Sequence, residues 1–272
     1  MSSMVLYLRQ VAAGNGVKWA RNGWAVFRRK PFALMALYSF SCLALALPGM
    51  VFQPLGTVSL MLLPLLSLAF MLASHVVVQG GTPALGILAI PFKITAERRR
   101  AQLWLGVGYG LLLFVAMQAA HGVDATAWQK LVDVLSQPQP DPQAVAAAWS
   151  APGILGSMAL MALAVTVLQI PFWHAPALVH WGGHGVAQAL FSSTLAIWRN
   201  RGAFAIYALV WLGIGLAAGI VLDIVALLLG DLALPLLFFA GLVLSTAFYS
   251  SLYFSFVDCF VTDTPEDISQ SA

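Results

Sequence analysis

The sequence predicts an all-α, polytopic membrane protein, and three observations lead to that fold class. Charged residues make up 8% of the 272 residues and hydrophobic residues 61%, whereas an ordinary soluble domain is roughly 25% charged. Six apolar stretches are long enough to cross a bilayer, which takes about 20 helical residues. Twelve of the 13 Lys and Arg residues flank these stretches on one side.

The six predicted spans are apolar runs separated by short connecting segments. Spans one and two are joined by "PGMVFQP", spans five and six by "GD", and spans three and four by a longer polar segment at 121–153. We therefore predict three helical hairpins within a single integral membrane domain, 1–272. The predicted spans are 32–51, 55–79, 101–120, 154–180, 203–229 and 232–261.

The Lys and Arg residues predict the orientation of the chain. Six precede span one, four lie between spans two and three, two lie between spans four and five, and Lys130 alone falls on the other side. Because short cytoplasmic loops hold an excess of Lys and Arg, we expect both termini in the cytoplasm. Segment 121–153 is then a periplasmic insert, and its "SQPQPDP" predicts two short helices around a proline turn. The first 30 residues lack an apolar core followed by a small-residue cleavage site, so we expect span one to be retained.

The segment at 17–30 has the pattern of a helix that lies in the membrane interface. A step of about 100° per residue places Trp19 and Trp24 on an apolar arc opposite the basic residues. We expect the tryptophans to face acyl chains and the basic groups to face lipid phosphates. Across the chain, the residues expected to contact phosphates are Lys18, Arg21, Arg28, Arg29, Lys30, Arg98, Arg99, Arg100, Arg199 and Arg201.

Related segments recur before the other odd-numbered spans. The projection also separates apolar from polar residues at 186–200, and less well at 84–100, where Pro91 interrupts. "VFRRKPF", "AERRRAQ" and "IWRNRGA" each place two or three basic residues directly before a span. We predict a repeated unit of in-plane helix, basic hinge and hairpin. The repeats cover 15–79, 82–180 and 183–262.

Two stretches carry a resemblance to a known family. "GWAVFRRKPFAL" and "PFWHAPALVHWGGHGVAQALFSSTLAIWRNRGAFAIYAL" resemble an uncharacterised family of proteobacterial six-helix inner-membrane proteins. They are distantly similar to the membrane domains beside some glycerophosphodiester phosphodiesterases. The shared features are the hinges and a Pro-aromatic-Ala-Pro bend, where this sequence has His174 in place of another aromatic residue. The resemblance implies a bacterial inner membrane and supplies no catalytic residues.

A search for chemical motifs finds no basis for an enzyme. The sequence has no G-x-S-x-G, Walker loop, H-E-x-x-H or C-x-x-C, and we predict neither catalytic residues nor a metal site. No basic stripe interleaves with aromatic residues, so we expect no nucleic-acid partner. Two glycine pairs, at 106 and 110 and at 215 and 219, have the spacing typical of close helix packing.

Three ionisable residues are candidates for a ligand cavity: His75, His174 and Asp258. Each lies in an even-numbered span, one to two turns inside its predicted cytoplasmic end. Ionisable side chains at that depth are costly unless they face water or one another. They could reach the headgroup region separately, line one cytoplasm-facing cavity for a polar ligand or lipid headgroup, or, for the two histidines, hold a haem. We predict no other cofactor.

Three classes of function follow. The first is a non-enzymatic membrane protein of envelope organisation or lipid handling, which the amphipathic segments favour, with membrane lipids as partners. The second is a small transporter, favoured by the internal repeat and by prolines that bend span four. The third is a haem-binding electron-transfer subunit, which depends on His75 and His174 alone.

Overall fold

The structure is a computed structural model that describes residues 5–262, and it is almost entirely helical. Its α-helices are α1 (Asn15–Arg29), α2 (Pro31–Val51), α3 (Gln53–Ser59), α4 (Leu63–Val78), α5 (Ala96–Val123), α6 (Ala125–Leu135), α7 (Pro142–Trp149), α8 (Pro152–Phe172), α9 (Ala175–Gly182), α10 (Val186–Arg199), α11 (Arg201–Leu229) and α12 (Leu234–Cys259). Short 3-10 turns are η1 (Leu60–Leu62), η2 (Leu85–Phe92) and η3 (Gly230–Ala233), and two short strands are β1 (Tyr7–Leu8) and β2 (Phe260–Val261).

Six helical stretches are long and apolar enough to cross a membrane, and they agree with the predicted spans to within five residues. The all-α, polytopic fold class is therefore confirmed. The stretches are Pro31–Val51, Leu55–Val78, Ala96–Val123, Pro152–Gly182, Arg201–Leu229 and Leu234–Cys259. The predicted bend in span four is also present, because α8 ends at Phe172 and α9 begins at Ala175, with Pro176 in its first turn.

The basic cluster before span three is not a hinge, which corrects the prediction. Thr95 caps α5, since its hydroxyl accepts a hydrogen bond from the backbone N–H of Arg98 (3.4 Å). The helix therefore begins at Ala96, and the three arginines lie in its first turns. The segment before it forms η2 in place of an amphipathic helix, because Pro91 interrupts it. At the other two predicted hinges the helix does break, at Lys30 between α1 and α2 and at Asn200 between α10 and α11.

Consecutive spans pack together to very different extents. The pair α5 and α8 is extensively packed and α2 packs against α3, whereas α4 packs mainly against α12. Helices α11 and α12 meet chiefly through Tyr207, whose hydroxyl is hydrogen-bonded to that of Ser251. The three-hairpin arrangement thus describes chain order better than it describes packing. Gly106 and Gly110 match the close-packing prediction, since a side chain at either would overlap Met61, but Gly215 and Gly219 have open space around them.

The apolar face of α1 is covered by protein, so the expectation that Trp19 faces acyl chains is wrong. Trp19 is 1% exposed and its ring lies 5.0 Å from that of Phe204 on α11. Gly23 lies directly against Ser251 of α12, where any side chain would overlap the α12 backbone. Two small residues let the helices approach this closely, and so α1 packs into the bundle rather than onto lipid.

The other amphipathic helix, α10, presents its large apolar residues outward. Phe191 and Trp198 are 68% and 69% exposed, whereas the small residues Ala189, Ser193 and Ala196 face the protein. The large apolar residues of α1 therefore pack against protein, whereas those of α10 are exposed, although the two sequence patterns look alike.

The two ends of the bundle differ in their elements. The end that holds α1 and α9 also holds β1 and β2, which pair antiparallel with Tyr7 opposite Val261 and so tie the N-terminal segment to the end of α12. We call it the basic end. At the far end, the predicted insert forms the two short helices α6 and α7, as expected. The indole N–H of Trp128 on α6 donates to the Ser157 hydroxyl of α8 (3.1 Å), which holds the insert on α8.

Candidate functional site

Asp258 belongs to a hydrogen-bond network at the basic end. Its carboxylate pairs with Arg9 and accepts hydrogen bonds from the Asn15 side-chain amide (2.8 Å) and the Trp19 indole N–H (2.8 Å). The Asn200 amide donates to the backbone carbonyl of Arg9 (3.1 Å) beside it. Donors on the N-terminal segment and α1 therefore surround Asp258, and the network fastens that segment to α12.

His75 and His174 bind other partners. The ring nitrogens of His75 lie 2.9 Å from the Tyr253 hydroxyl and 3.0 Å from the Gln79 amide. His174 is fully buried, and its Nε2 lies 3.1 Å from the Ser255 hydroxyl. Both ring nitrogens of His75 are engaged within the protein, so nothing in this placement favours a haem held between the two histidines.

The structure thus brings none of the three predicted residues into hydrogen-bond contact with another. None of them lines the cavities described below. Asp258 and His75 have partners that explain their presence in an apolar span, since a buried polar group is costly when it lacks a hydrogen bond, whereas Nδ1 of the buried His174 has no hydrogen-bond partner within residues 5–262.

The predicted phosphate-binding residues lie at the basic end. Most of their side chains are exposed, whereas Arg98 is partly buried and its guanidinium donates to the carbonyl of His180 (3.0 Å). The exposed Arg201 stacks its guanidinium over the Trp198 ring (5.9 Å). The exposed side chains are those of Lys18, Arg21, Arg28, Arg29, Arg99, Arg100, Arg199 and Arg201.

A cavity that the sequence did not predict lies inside the bundle. It has a volume of about 300 Å³ and lies between α4, α5, α8 and α12, near the middle of each span. We call it the inner cavity. Its walls are aromatic and aliphatic, and they hold a few uncharged polar groups. The lining residues are Leu63, Pro64, Ser67, Tyr109, Val165, Gln169, Phe172, Trp173, Phe248, Tyr249 and Leu252.

A second, larger space lies toward the far end. This groove, of about 640 Å³, lies between α5, α6 and α8, and we call it the outer groove. Its lining is almost wholly apolar apart from His121, Trp128 and Ser157 at its far end. The lining residues are Met117, Ala120, His121, Trp128, Ser157, Met158, Met161, Ala162 and Val165.

The two spaces adjoin and follow one face of the α5 and α8 pair. Val165 lines both. Five of the α8 residues that line them recur every three or four positions, which is the spacing of one helical face. These residues are Met158, Met161, Val165, Gln169 and Phe172. On α5, Tyr109 lines the inner cavity and Met117 the outer groove, two turns further along. The outer groove therefore lies toward the far end and the inner cavity at mid-span, with Val165 at their junction.

Comparison with known proteins agrees with a membrane location. No protein-family model matches the chain. A protein of Burkholderia thailandensis described as a "probable inner membrane protein" is 28% identical over 263 residues, which is 96% of each chain. Six membrane-capable helices and a full-length similarity to a membrane protein point the same way. The chain is an integral membrane protein. No solved structure matches it.

The sequence did not predict the polar groups of this membrane protein's inner cavity, because histidines and carboxylates were taken as the candidates for a cavity. Tyr109, Gln169 and Tyr249 each lie within a predicted span. A glutamine there is a signal, since an amide in hydrocarbon needs a hydrogen-bond partner. The Gln169 amide indeed donates to the Tyr109 hydroxyl (3.3 Å). The sequence alone does not indicate that three different helices bring these groups together.

Proposed function

We propose that this protein is a non-enzymatic component of a bacterial inner membrane that binds a membrane lipid between α5 and α8 and serves lipid handling. One observation carries the proposal: an apolar groove at the far end and a cavity at mid-span lie on one face of α8 and share the lining residue Val165. Volumes of about 300 and 640 Å³ fall in the range of roughly 300–1,000 Å³ that is typical of ligand sites.

The lining of the outer groove suits a flexible hydrocarbon chain. Met117, Met158 and Met161 contribute unbranched, polarisable side chains that adapt to irregular apolar shapes. The rings of His121 and Trp128, 6.4 Å apart, lie where the groove reaches the far end. Tryptophan is enriched at membrane interfaces, so this end of the groove is placed to admit a lipid from the interface.

The proposal includes an orientation, with the basic end in the cytoplasm and α6 and α7 in the periplasm. The distribution of Lys and Arg supports it. On α10, Phe191 and Trp198 would face acyl chains while Arg199 faces phosphates, as in a helix that lies in the interface. We propose in addition that the six-helix architecture is like that of the membrane domains beside some glycerophosphodiester phosphodiesterases.

A small transporter is the second candidate function. Trp173 lies at the break between α8 and α9 and also lines the inner cavity. Broken helices at the middle of the membrane form the substrate sites of many transporters. Substrate-dependent uptake by vesicles that contain the protein would favour this candidate over a lipid-binding protein.

The lipid-binding proposal is tested by blocking this junction at Val165. In Val165→Trp, an indole would fill the junction of the two spaces, whereas in the control Val167→Trp it would point outward from α8, since Val167 is exposed. We expect the wild type and the control to retain lipid through gentle purification and Val165→Trp to lose most of it, measured by mass spectrometry. A milder block, Ala162→Phe, should give a smaller loss. Equal retention in all four proteins would refute the proposal.

The orientation is tested by accessibility to a reagent that does not cross the membrane. Cysteines are placed singly at Gln137, between α6 and α7, and at Gly14, before α1, in a background that lacks Cys42 and Cys259. In intact cells we expect an impermeant thiol reagent to label position 137 and not position 14. The reverse pattern would overturn the orientation.

A further inference from the structure

We infer that the inner cavity takes the uncharged, planar, hydrogen-bond-accepting head group of an isoprenoid quinone, with the isoprenoid chain in the outer groove. This inference rests on the proposed function and names the class of lipid. Three observations support it: two phenol hydroxyls on different walls of the cavity, the lack of charged lining residues, and the aromatic walls.

The hydroxyls of Tyr109 and Tyr249 are available as donors. Tyr109 is 4% exposed and accepts a hydrogen bond from the Gln169 amide (3.3 Å), which leaves its own hydrogen without an acceptor. Tyr249 packs its ring against Tyr38 and Phe70, and its hydroxyl makes no hydrogen bond within residues 5–262. Tyr109 is buried and Tyr249 is partly buried, and a hydroxyl hydrogen without an acceptor is unfavourable where it is shielded from water. A ligand with two carbonyl oxygens would satisfy both.

The absence of charge in the lining selects against a phospholipid head group. No Lys, Arg, His, Asp or Glu is among the residues that line the inner cavity. A phosphate brought to this depth would lose its hydration without a compensating charge, which is strongly unfavourable. A neutral carbonyl compound loses much less on leaving water, and the two phenols replace its hydrogen bonds.

The shape of the cavity suits a flat ring that carries a long chain. Phe172, Trp173 and Phe248 line it, and the Trp173 and Phe248 rings stand almost perpendicular, at 86° with centroids 6.3 Å apart. Such walls offer both face and edge contacts to a planar ring. The methionine-lined outer groove begins at Val165, which also lines the inner cavity, and a chain attached to the ring would lie in this groove.

The test uses a benzoquinone with a decyl chain as the probe, titrated into the protein in phosphatidylglycerol nanodiscs. Binding is followed by quenching of tryptophan fluorescence, to which Trp173 contributes from the cavity wall. The double variant Tyr109→Phe, Tyr249→Phe keeps both rings and removes both donors. We expect its affinity to fall about tenfold, as the loss of two hydrogen bonds predicts. The matched control Tyr38→Phe changes a neighbouring tyrosine that does not line the cavity and should leave the affinity unchanged.

The outcomes separate this inference from the proposed function. Saturable binding that weakens in the double variant, with phospholipid retention unchanged, supports the quinone head group. If binding is not saturable, or if the double variant binds as the wild type does, the inference is overturned. The proposed function then still stands if Val165→Trp loses its retained lipid. If Val165→Trp keeps all of its lipid, both fail.

Discussion

The same membrane-capable helices run through the basic end and the far end of this protein, yet the two ends are packed in opposite ways. At the basic end, the side chains of Phe70, His174 and Leu178 are completely buried. At the far end, Leu227 of α11 is 86% exposed, and the most apolar stretch of α11 has no buried residue. Hydropathy identifies a segment that avoids water, but it does not distinguish a protein neighbour from a lipid neighbour.

The difference is explained by small and polar residues. At the basic end, Gly23 brings α1 against α12, and the Ser74 hydroxyl of α4 donates to the Ser250 carbonyl of α12 (3.0 Å). Small residues permit close approach, and interhelical hydrogen bonds then hold the helices. On α11, Gly215 and Gly219 have no neighbour within 4 Å, so its outer half contributes apolar surface rather than packing.

The largest expected effect concerns two tryptophans that the sequence pattern treats alike. Trp19→Ala should lower the free energy of unfolding by about 3–5 kcal/mol, because it leaves a cavity between α1 and α11 and removes a donor to Asp258. Trp198→Ala should cost less than about 1 kcal/mol, since that side chain is largely exposed. Unfolding in detergent, monitored by circular dichroism, measures the stability of both variants. Equal losses of stability would remove the distinction between α1 and α10.

This pair also illustrates how far the sequence predicts the structure. Periodicity located the spans and the helices 17–30 and 186–200, because apolar residues recur at a helical spacing whatever covers them. Periodicity did not identify whether protein or lipid covers each apolar face. Asp258 lies 249 residues from Arg9, and local patterns carry no information about such distant partners. The inner cavity was missed for the same reason, as its hydroxyls come from helices far apart in the chain.

A second, smaller effect tests the close approach of α1 and α12. Gly23→Leu should destabilise the protein by about 1–3 kcal/mol, because a side chain there overlaps Ser251 and α1 has to move outward. Gly215→Leu is the matched control, and it should be neutral or slightly stabilising, since leucine has the higher helix propensity and the site is open. Thermal unfolding of the purified variants measures the stability of each relative to the wild type. Destabilisation by Gly215→Leu of similar size would mean that α11 is packed against a partner.

A third effect, smaller again, concerns the network around Asp258. In a double-mutant cycle, Asp258→Asn and Arg9→Gln should be coupled by up to about 1 kcal/mol, a value limited by the exposure of Arg9. Asp258→Asn and His75→Ala should instead be additive within about 0.5 kcal/mol, because the two residues share no partner. The free energies of unfolding of the single and double variants in detergent give the coupling energy of each cycle. Strong coupling to His75 would restore the shared cavity that the sequence suggested.

The smallest effect is a local one, at the far end. Asp124 caps α6: its carboxylate accepts hydrogen bonds from the Thr126 hydroxyl (2.7 Å) and the Ala127 backbone N–H (2.9 Å). These hydrogen bonds, chiefly that from Thr126, hold the pKa of Asp124 below its ordinary value. The cap therefore contributes its full stability above the unfolded pKa of about 3.9, and the contribution is lost as the pH falls through the lower, folded value.

Hydrogen exchange of the α6 amides measures this local loss. After correction for intrinsic exchange rates, protection of α6 in the wild type should be constant from pH 7 to about pH 5 and should decrease below about pH 4. Asp124→Asn is the matched control, because asparagine also caps helices but does not titrate, so its protection should not depend on pH in this range. Identical profiles would show that the cap does not hold α6. Since Trp128 of α6 lines the outer groove, loss of the cap at low pH should also reduce lipid retention, whereas the basic end should be unaffected.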